Sequence, residues 1–208
     1  MGDPKRIVAE GYDRIGDDLR PRFDETAGQV RGWFLSEILQ RVPEGSDLLE
    51  LGCGAGVDAI ELADGRRYTG VDLSGVMISL ARGRVPSGTF VHGDLASVAF
   101  PKVSFDAVVS LYVFGHVPAN EHVPTFRRVF EWLRPGGVFC ASVPSGAHDG
   151  MQEDFVGVPM YFADIGRDAT ESALREIGFG LEISGVREEL EPTGETVSFH
   201  WAVARKPA

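Results

Sequence analysis

The chain has 208 residues, of which 43% are hydrophobic, enough for one domain with a full core. Its 31 acidic and 20 basic residues give a net charge of −11, which argues against a broad nucleic-acid-binding surface but allows a small basic patch. No apolar run reaches the roughly 20 residues of a membrane helix, and the N-terminus lacks the apolar stretch of a secretory signal. Two cysteines cannot form a disulfide framework, so we expect a cytoplasmic protein.

The first 45 residues predict two helices separated by a break. The first helix carries apolar residues at near-helical spacing, at Ile7, Tyr12, Ile15 and Leu19, and the second carries Trp33, Phe34, Ile38 and Val42. Pro21 ends the first segment and Pro43 closes the second.

From residue 47 onwards, short strands alternate with helices. We predict strands over 48–51, 68–71, 89–92, 105–111 and 138–143, and helices over 57–63, from Ser74 through Leu80, and over 123–133. Apolar strands that alternate with helices indicate a parallel sheet covered on both faces. After a helix over 169–177, strands over 181–186 and 197–203 form a pair, and strict alternation in the second suits an antiparallel strand.

Residues 144–168 have weak periodicity and predict a loop, which at 25 residues is longer than a compact domain normally carries without a function. The loop contains Phe155, Met160, Tyr161 and Phe162. One interpretation is a lid or pocket for an apolar or aromatic acceptor. The other is a loop that its aromatic residues anchor to the core.

A glycine turn, Gly52-Cys53-Gly54-Ala55-Gly56, follows the first strand, and Asp72 ends the next strand 20 residues after Gly52. Glycines allow backbone to approach a ligand closely, and a carboxylate at such a strand end can accept hydrogen bonds from ribose hydroxyls. Dinucleotide-binding folds share this interval, but here the spacing is G-x-G-x-G and Glu50 stands beside the turn. A carboxylate there disfavours a pyrophosphate and favours a cationic amino group.

Asp94 follows the third strand. Ligands of open parallel sheets bind at the carboxyl ends of the strands, so Asp94 is a candidate acceptor for an exocyclic amine such as adenine N6. The alternative is a turn or cap residue.

The ordered set of motifs resembles the class I S-adenosylmethionine-dependent methyltransferases, of the kind that modify small molecules. The match covers residues 47–143, and the terminal strand pair extends it. The motifs that carry it are Glu50-Leu51-Gly52-Cys53-Gly54-Ala55-Gly56, Val71-Asp72-Leu73-Ser74, Gly93-Asp94-Leu95, Phe105-Asp106-Ala107-Val108-Val109-Ser110 and Leu133-Arg134-Pro135-Gly136-Gly137.

The resemblance implies an α/β fold: a Rossmann-like, doubly wound, seven-stranded sheet with the last strand antiparallel, helices on both faces and an N-terminal helical lid. It divides one domain, 1–208, into a helical cap (1–45), a cofactor-binding core (47–143), an acceptor-site loop (144–168) and a C-terminal helix and strand pair (169–208). The implied cofactor is S-adenosylmethionine, with S-adenosylhomocysteine as product. We expect the acceptor to be a small molecule rather than a nucleic acid or a membrane, and the protein to be a monomer or a homodimer.

The resemblance also assigns cofactor-binding residues. The methionine part would contact the turn, with Glu50 and Cys53 beside the glycines Gly52, Gly54 and Gly56. Asp72 would hold the ribose, and the residues near the adenine would be Leu73, Met77, Asp94 and Leu95. Ser110 and Leu111 would lie beside the sulfonium. Tyr12, on the lid helix, would face the cofactor carboxylate or methyl, or else serve as a core or surface residue.

Methyl transfer needs in-line alignment, and it needs a base only where the acceptor must lose a proton. His116, after the fourth strand, is the candidate base, with a structural contact as the alternative. Tyr112 is a second candidate, as a hydrogen-bond donor or a pocket wall. We expect His92 and His200 to be structural, His122 to lie on an exposed helix turn, and His148 with Asp149 to reflect loop polarity rather than catalysis.

No metal-ligand spacing occurs in the sequence, so we expect no metal. The segment after the fourth strand, Ser110-Leu111-Tyr112-Val113, lacks the Asn-Pro-Pro-Tyr pattern of DNA adenine and glutamine N-methylation. We therefore predict O- or N-methylation of a small molecule by in-line displacement. The alternatives are cyclisation or another transfer from the same cofactor, a non-catalytic cofactor-binding regulatory module, and a nicotinamide-dependent reductase, which the absence of a Tyr-x-x-x-Lys pair disfavours.

Overall fold

The computed structural model describes residues 2–16, 28–146, 149–190 and 194–208. Its helices are α1 (Pro4–Ile15), α2 (Gly28–Arg41), α3 (Ala59–Leu62), α4 (Gly75–Arg84), α5 (Ala119–Trp132) and α6 (Arg167–Ile177), with a 3-10 turn at Phe114–His116. Its strands are β1 (Asp47–Leu51), β2 (Arg67–Asp72), β3 (Thr89–His92), β4 (Phe105–Ser110), β5 (Leu133–Pro144), β6 (Asp149–Phe155), β7 (Val158–Ala163), β8 (Gly180–Leu190) and β9 (Thr196–Arg205).

Seven strands form one sheet in the order β3-β2-β1-β4-β5-β9-β8. The first five are parallel to one another, and β9 runs antiparallel to both β5 and β8. The predicted doubly wound sheet with an antiparallel last strand is therefore confirmed. The carboxyl ends of β1, β2 and β4 meet at one edge, where ligands of such sheets bind.

Both faces of the sheet are covered, because the central strands are apolar on both sides. On one face Phe34 and Ile38 of α2 pack with Trp201 of β9, and on the other Phe126 of α5 packs with Phe114 and Phe139. All of these side chains are buried. The strands are thereby fixed from both sides, and the loops at their carboxyl ends have a rigid support.

The N-terminal helix is shorter than the sequence predicts. Asp3 caps its first turn by accepting a hydrogen bond from the backbone N–H of Lys5, and Pro4 starts it. The helix ends at Ile15 because Gly16 adopts a positive φ of 55°. Leu19 and Pro21, which were expected to extend and end it, lie outside the described residues.

The predicted loop over 144–168 is wrong for most of its length, because β6 and β7 form an antiparallel hairpin there. Apolar and polar residues do not alternate in β7, because Met160 and Tyr161 are buried at successive positions and therefore on opposite faces, whereas most of β6 is exposed or half-buried. Val8 and Ile15 of α1 pack with Met160 and Phe155 of the hairpin in a third apolar cluster, which we call the lid cluster.

The remaining boundaries shift by a few residues. The helix predicted over 57–63 is confined to Ala59–Leu62, and β8 runs on to Leu190. Ser74 caps α4 as predicted, since its hydroxyl accepts a hydrogen bond from the Met77 N–H at 3.0 Å. No helix within the described ranges is long and apolar enough to cross a membrane.

Candidate active site

The glycine turn after β1 is held to β2 by backbone hydrogen bonds. The N–H groups of Gly52 and Cys53 both donate to the Val71 carbonyl, at 2.7 and 3.0 Å. Gly52 has a φ of 73°, and a Cβ there would lie 2.1 Å from Val113, so only glycine fits. A Cβ on Gly54 would meet nothing within 4 Å, so the turn opens onto free space at this point.

Asp72, the last residue of β2, ties this turn to α4. Its Oδ2 accepts from the Gly54 N–H at 2.8 Å and its Oδ1 from the Ser74 N–H at 2.9 Å. Burial raises the pKa of this carboxyl, although the backbone hydrogen bonds oppose the shift. Each oxygen has a second lone pair, so each can accept one further hydrogen bond from a ligand.

Glu50 lies under the turn and is only 2% exposed. Burial, and then the charge of Asp58, raise its pKa to about 8, while a hydrogen bond from the Tyr68 hydroxyl acts in the other direction. Asp58 itself bonds Arg31 of α2, with 2.6 Å between Arg31 Nε and Asp58 Oδ1. This end of the site thus holds two carboxyl groups and one guanidinium.

A second charged cluster lies where β3 leads into the next loop. The ammonium of Lys5, from α1, lies 2.7 Å from Asp94 Oδ2 and 2.6 Å from Glu121 Oε2. Burial alone would lower the pKa of Lys5, but the hydrogen bonds to the two carboxylates raise it above its usual value. Asp94 Oδ1 accepts from the Ala96 N–H at 2.8 Å. The lid helix therefore contacts the position where the sequence predicts an amine-binding carboxylate.

These groups surround one cavity, which we call the cofactor cavity. The sequence-predicted residues that line it are Tyr12, Glu50, Gly52, Cys53, Gly54, Asp72, Leu73, Met77, Asp94, Leu95, Leu111, Tyr112 and His116. Gly56 and Ser110 do not line it. Gly56 packs on Ala81 of α4, where a Cβ would lie 3.0 Å from the Ala81 Cα, and Ser110 is fully buried in β4.

His116 is held in one tautomer. Its Nδ1 lies 3.0 Å from the Tyr161 carbonyl oxygen, which can only accept, so Nδ1 carries the proton. Burial lowers the pKa of His116 to about 4, so the ring is neutral near pH 7. Its Nε2 therefore presents a lone pair, and the Tyr12 hydroxyl donates to it at 2.8 Å.

Tyr112 follows β4 with a positive φ of 60°, a sparsely populated conformation for a residue with a side chain. Its N–H donates to Ser142 Oγ at 2.8 Å, and its hydroxyl donates to Glu189 Oε2 at 2.7 Å. Its ring packs edge-on against Phe199 and Trp201. Three separate contacts therefore fix this side chain.

A second cavity, which we call the acceptor cavity, lies beside the first. Its walls come from the β6–β7 hairpin, the end of β5 and the start of β9, and include Phe155, Phe162 and Phe199. Tyr12, Tyr112 and His116 line both cavities. The two cavities therefore meet at these three side chains.

The model of a methyltransferase domain matches residues 48–137. A probable S-adenosylmethionine-dependent methyltransferase of Mycolicibacterium smegmatis is 30% identical over 188 residues, which are 88% of this chain and 71% of that protein. The chain belongs to the S-adenosylmethionine-dependent methyltransferases.

Other similar proteins are methyltransferases as well. A trans-aconitate 2-methyltransferase of Paracidovorax citrulli is 31% identical over 185 residues, covering 82% of this chain and 66% of that protein. An S-adenosylmethionine-dependent methyltransferase structure from Methanosarcina mazei superimposes with a TM-score of 0.71 at 20% identity, over 81% of this chain and 95% of that one. This methyltransferase is thus an enzyme whose cofactor is S-adenosylmethionine.

Three other histidines of the methyltransferase, His92, His122 and His200, line neither cavity. His122 was expected on an exposed turn, but it is fully buried against Phe114, and its Nε2 donates to the Val117 carbonyl at 2.9 Å. His92 ends β3 and contacts the Leu73 carbonyl, while His200 is buried in β9. His148 lies outside the described residues. Within the described parts of the chain, no group of three or more His, Cys, Asp or Glu side chains is placed to hold a metal ion.

Sequence reasoning missed the polar residues that the N-terminal helices bring to the methyltransferase site. Lys5 and Arg31 line the cofactor cavity from α1 and α2, together with Asp58. Asp13, exposed on α1, contacts the start of α4, where its Oδ1 accepts from Ser74 Oγ at 2.5 Å. The sequence did show polar residues at helical spacing from the apolar residues of each helix. It did not show which partner each of these polar residues contacts.

Proposed function

We propose that this methyltransferase transfers the methyl group of S-adenosylmethionine to a small molecule bound in the acceptor cavity, by in-line displacement at an oxygen or a nitrogen atom. One observation carries the proposal: the two cavities meet at Tyr12, Tyr112 and His116. A methyl group can pass between two ligands only where they touch, and these residues stand where the two cavities meet.

The cofactor cavity fits S-adenosylmethionine in its donor set. Asp72 keeps one accepting position on each oxygen for ribose hydroxyls, and the turn at Gly54 is open to a close ligand. Leu73, Met77 and Leu95 offer apolar contacts for the adenine, with Asp94 beside them. When bound, the cofactor supplies an electrophilic methyl group on a positively charged sulfur, so the protein need only orient the acceptor, exclude water and accept a proton.

The geometry of His116 supports a proton relay through Tyr12. The Nε2 lone pair faces the Tyr12 hydroxyl rather than open space. Tyr12 Oη can therefore take a proton from an acceptor O–H or N–H while it passes its own proton to His116 Nε2. The chain ends this step with a neutral Tyr12 and a protonated His116, which later releases its proton to solvent.

The low pKa of His116 sets the timing of this proton transfer. A pKa of about 4 means that the ring is always available as an acceptor near neutral pH but holds a proton poorly. A nearby positive charge makes protonation still less favourable, and methyl transfer removes that charge. We infer that the proton reaches His116 as the methyl group leaves, rather than before.

The walls of the acceptor cavity favour a molecule with an apolar or aromatic part. Four aromatic rings line it besides Tyr12, at Tyr112, Phe155, Phe162 and Phe199. The Phe162 ring lies 4.7 Å from the His116 ring, so an acceptor beside it would be close to the relay. Aromatic side chains stack on planar ligands and exclude water.

The test is incubation of the purified protein with S-adenosylmethionine and a panel of phenols and aromatic amines, followed by mass spectrometry. A methylated acceptor together with S-adenosylhomocysteine supports the proposal, whereas methylthioadenosine would indicate transfer of a different group from the sulfur. His116→Gln and Tyr12→Phe should each lower turnover of a phenol by about 10²-fold or more. His116→Gln should leave the dissociation constant of S-adenosylhomocysteine within about twofold. Unchanged turnover in both variants would refute the relay.

A further inference from the structure

Glu189 on β8 is a buried carboxylate, only 6% exposed, that lines neither cavity. Its Oε2 accepts from the Tyr112 hydroxyl at 2.7 Å and its Oε1 from Trp201 Nε1 at 3.1 Å. Both donors are neutral groups. Within the described parts of the chain, no Lys, Arg or His side chain bonds Glu189.

A buried anion without a cation is costly, and two neutral hydrogen bonds offset only part of that cost. Burial accordingly raises the pKa of Glu189, while the hydrogen bonds from Tyr112 and Trp201 oppose the shift. A positive charge nearby would favour the ionised carboxylate. Among the described residues no cationic side chain bonds Glu189, and Arg31, which lines the same cavity, is bonded to Asp58. A cationic ligand in that cavity would therefore add a positive charge on the Tyr112 side of Glu189.

Tyr112 joins Glu189 to the cofactor cavity. Its hydroxyl end bonds Glu189, while the residue lines the cavity next to Leu111. The ring packs edge-on against Trp201, and the strained backbone at Tyr112 is fixed through Ser142. The carboxylate therefore stands about one tyrosine side chain away from the cavity, with Tyr112 between them.

We propose that Glu189, acting through Tyr112, makes the site prefer the positively charged S-adenosylmethionine over the neutral product S-adenosylhomocysteine. The proposal rests on the placement of the cofactor in the cofactor cavity. At such a distance and in a partly buried setting, one charge on Glu189 changes the affinity for a cation on the order of tenfold. The same preference helps the product to leave once its charge is gone.

The test compares the dissociation constants of the two probes, S-adenosylmethionine and S-adenosylhomocysteine, by calorimetry. Glu189→Gln keeps the shape of the side chain: its amide oxygen can accept from Trp201 and its amide nitrogen can donate to Tyr112 Oη. We expect this variant to bind S-adenosylmethionine about tenfold more weakly and S-adenosylhomocysteine within about twofold of the wild type. The matched control is Glu188→Gln, the exposed neighbour on the same strand, which should change neither constant.

If both probes bind more weakly by the same factor, Glu189 only shapes the site. If neither dissociation constant changes, the charge of Glu189 does not affect the cofactor. Either result overturns the proposal. If Glu189→Gln does not fold, Tyr112→Phe takes its place. That variant leaves the carboxylate with one donor, so it protonates more easily and the ratio should also fall. An unchanged ratio in Tyr112→Phe likewise overturns the proposal. A wild-type protein that binds neither probe would refute the proposed function itself.

Discussion

Asp13 of the lid helix accepts a hydrogen bond from the hydroxyl of Ser74 at 2.5 Å, and the Val76 N–H points to the same oxygen at 3.2 Å. Ser74 in turn donates its N–H to Asp72. The helix that covers the cofactor cavity is thus linked through one residue to the carboxylate that we expect to hold the ribose. We therefore expect a change at α1 to be felt at Asp72 through these hydrogen bonds.

Replacing Asp13 with Ala should loosen the lid helix. The change removes the contact to α4, although it also removes a negative charge near the C-terminus of α1 and improves helix propensity there. Faster hydrogen exchange in 4–15 would therefore report the lost contact and not a weaker helix. We expect a rise of about tenfold or less in the dissociation constant of S-adenosylhomocysteine. Glu10→Ala, an exposed site on the same helix, is the control, and equal exchange in the two variants would contradict the coupling.

Asp72→Ala should weaken cofactor binding by roughly 1–3 kcal/mol, since two accepting oxygens are lost from the ribose position. The same change leaves the N–H groups of Gly54 and Ser74 without their carboxylate, so a lower melting temperature should accompany it. Calorimetry with S-adenosylhomocysteine and thermal unfolding measure the two effects. Asp64→Ala, which removes an exposed carboxylate, should change neither the dissociation constant nor the melting temperature. A dissociation constant unchanged by Asp72→Ala would exclude Asp72 from the ribose site.

The sequence predicts the position of a site residue best when that position is set locally, within one strand and the turn and helix that follow it. Asp72 and Ser74 lie where expected because a strand end and a helix cap are local features. Lys5 and Arg31 were missed because each reaches the site only when its helix folds over the sheet. Spacing along the chain carries no information on such contacts.

Burial on both sides explains the other errors. Alternation of apolar and polar residues identifies a strand only when one of its faces is exposed to solvent. In β7 the successive residues Met160 and Tyr161 are both buried, so the alternation is lost. His122 was misplaced for a related reason: the ring fills an aromatic site beside Phe114 and satisfies only its Nε2 with the Val117 carbonyl. Whether such a polar residue is buried in an apolar cluster depends on tertiary packing, which spacing along the chain does not show.

The turn of the β6–β7 hairpin carries strain that a substitution should relieve. Phe155 pairs with Val158, which leaves a two-residue loop of Val156 and Gly157, with φ values of 55° and 90°. Positive φ suits asparagine far better than a β-branched side chain. Val156→Asn should therefore raise the free energy of unfolding by up to about 1 kcal/mol. In denaturant melts the control Val186→Asn, on an exposed strand position without positive φ, should be neutral or destabilising. Destabilisation by Val156→Asn would show that the lost apolar contact outweighs the strain.

Glu50 should release a proton when the cofactor binds. Its raised pKa of about 8 keeps the carboxyl largely protonated at pH 7, and a cationic amino group placed beside it would favour the ionised form. Binding of S-adenosylhomocysteine, which keeps the amino group, should then release up to roughly one proton at pH 7 and few at pH 9, where the group is already ionised. Calorimetry in buffers of different ionisation enthalpy measures this number. Glu50→Gln should abolish the release and weaken binding, while the exposed Glu61→Gln should keep both. Proton uptake, or an equal release from Glu50→Gln, would place the amino group elsewhere.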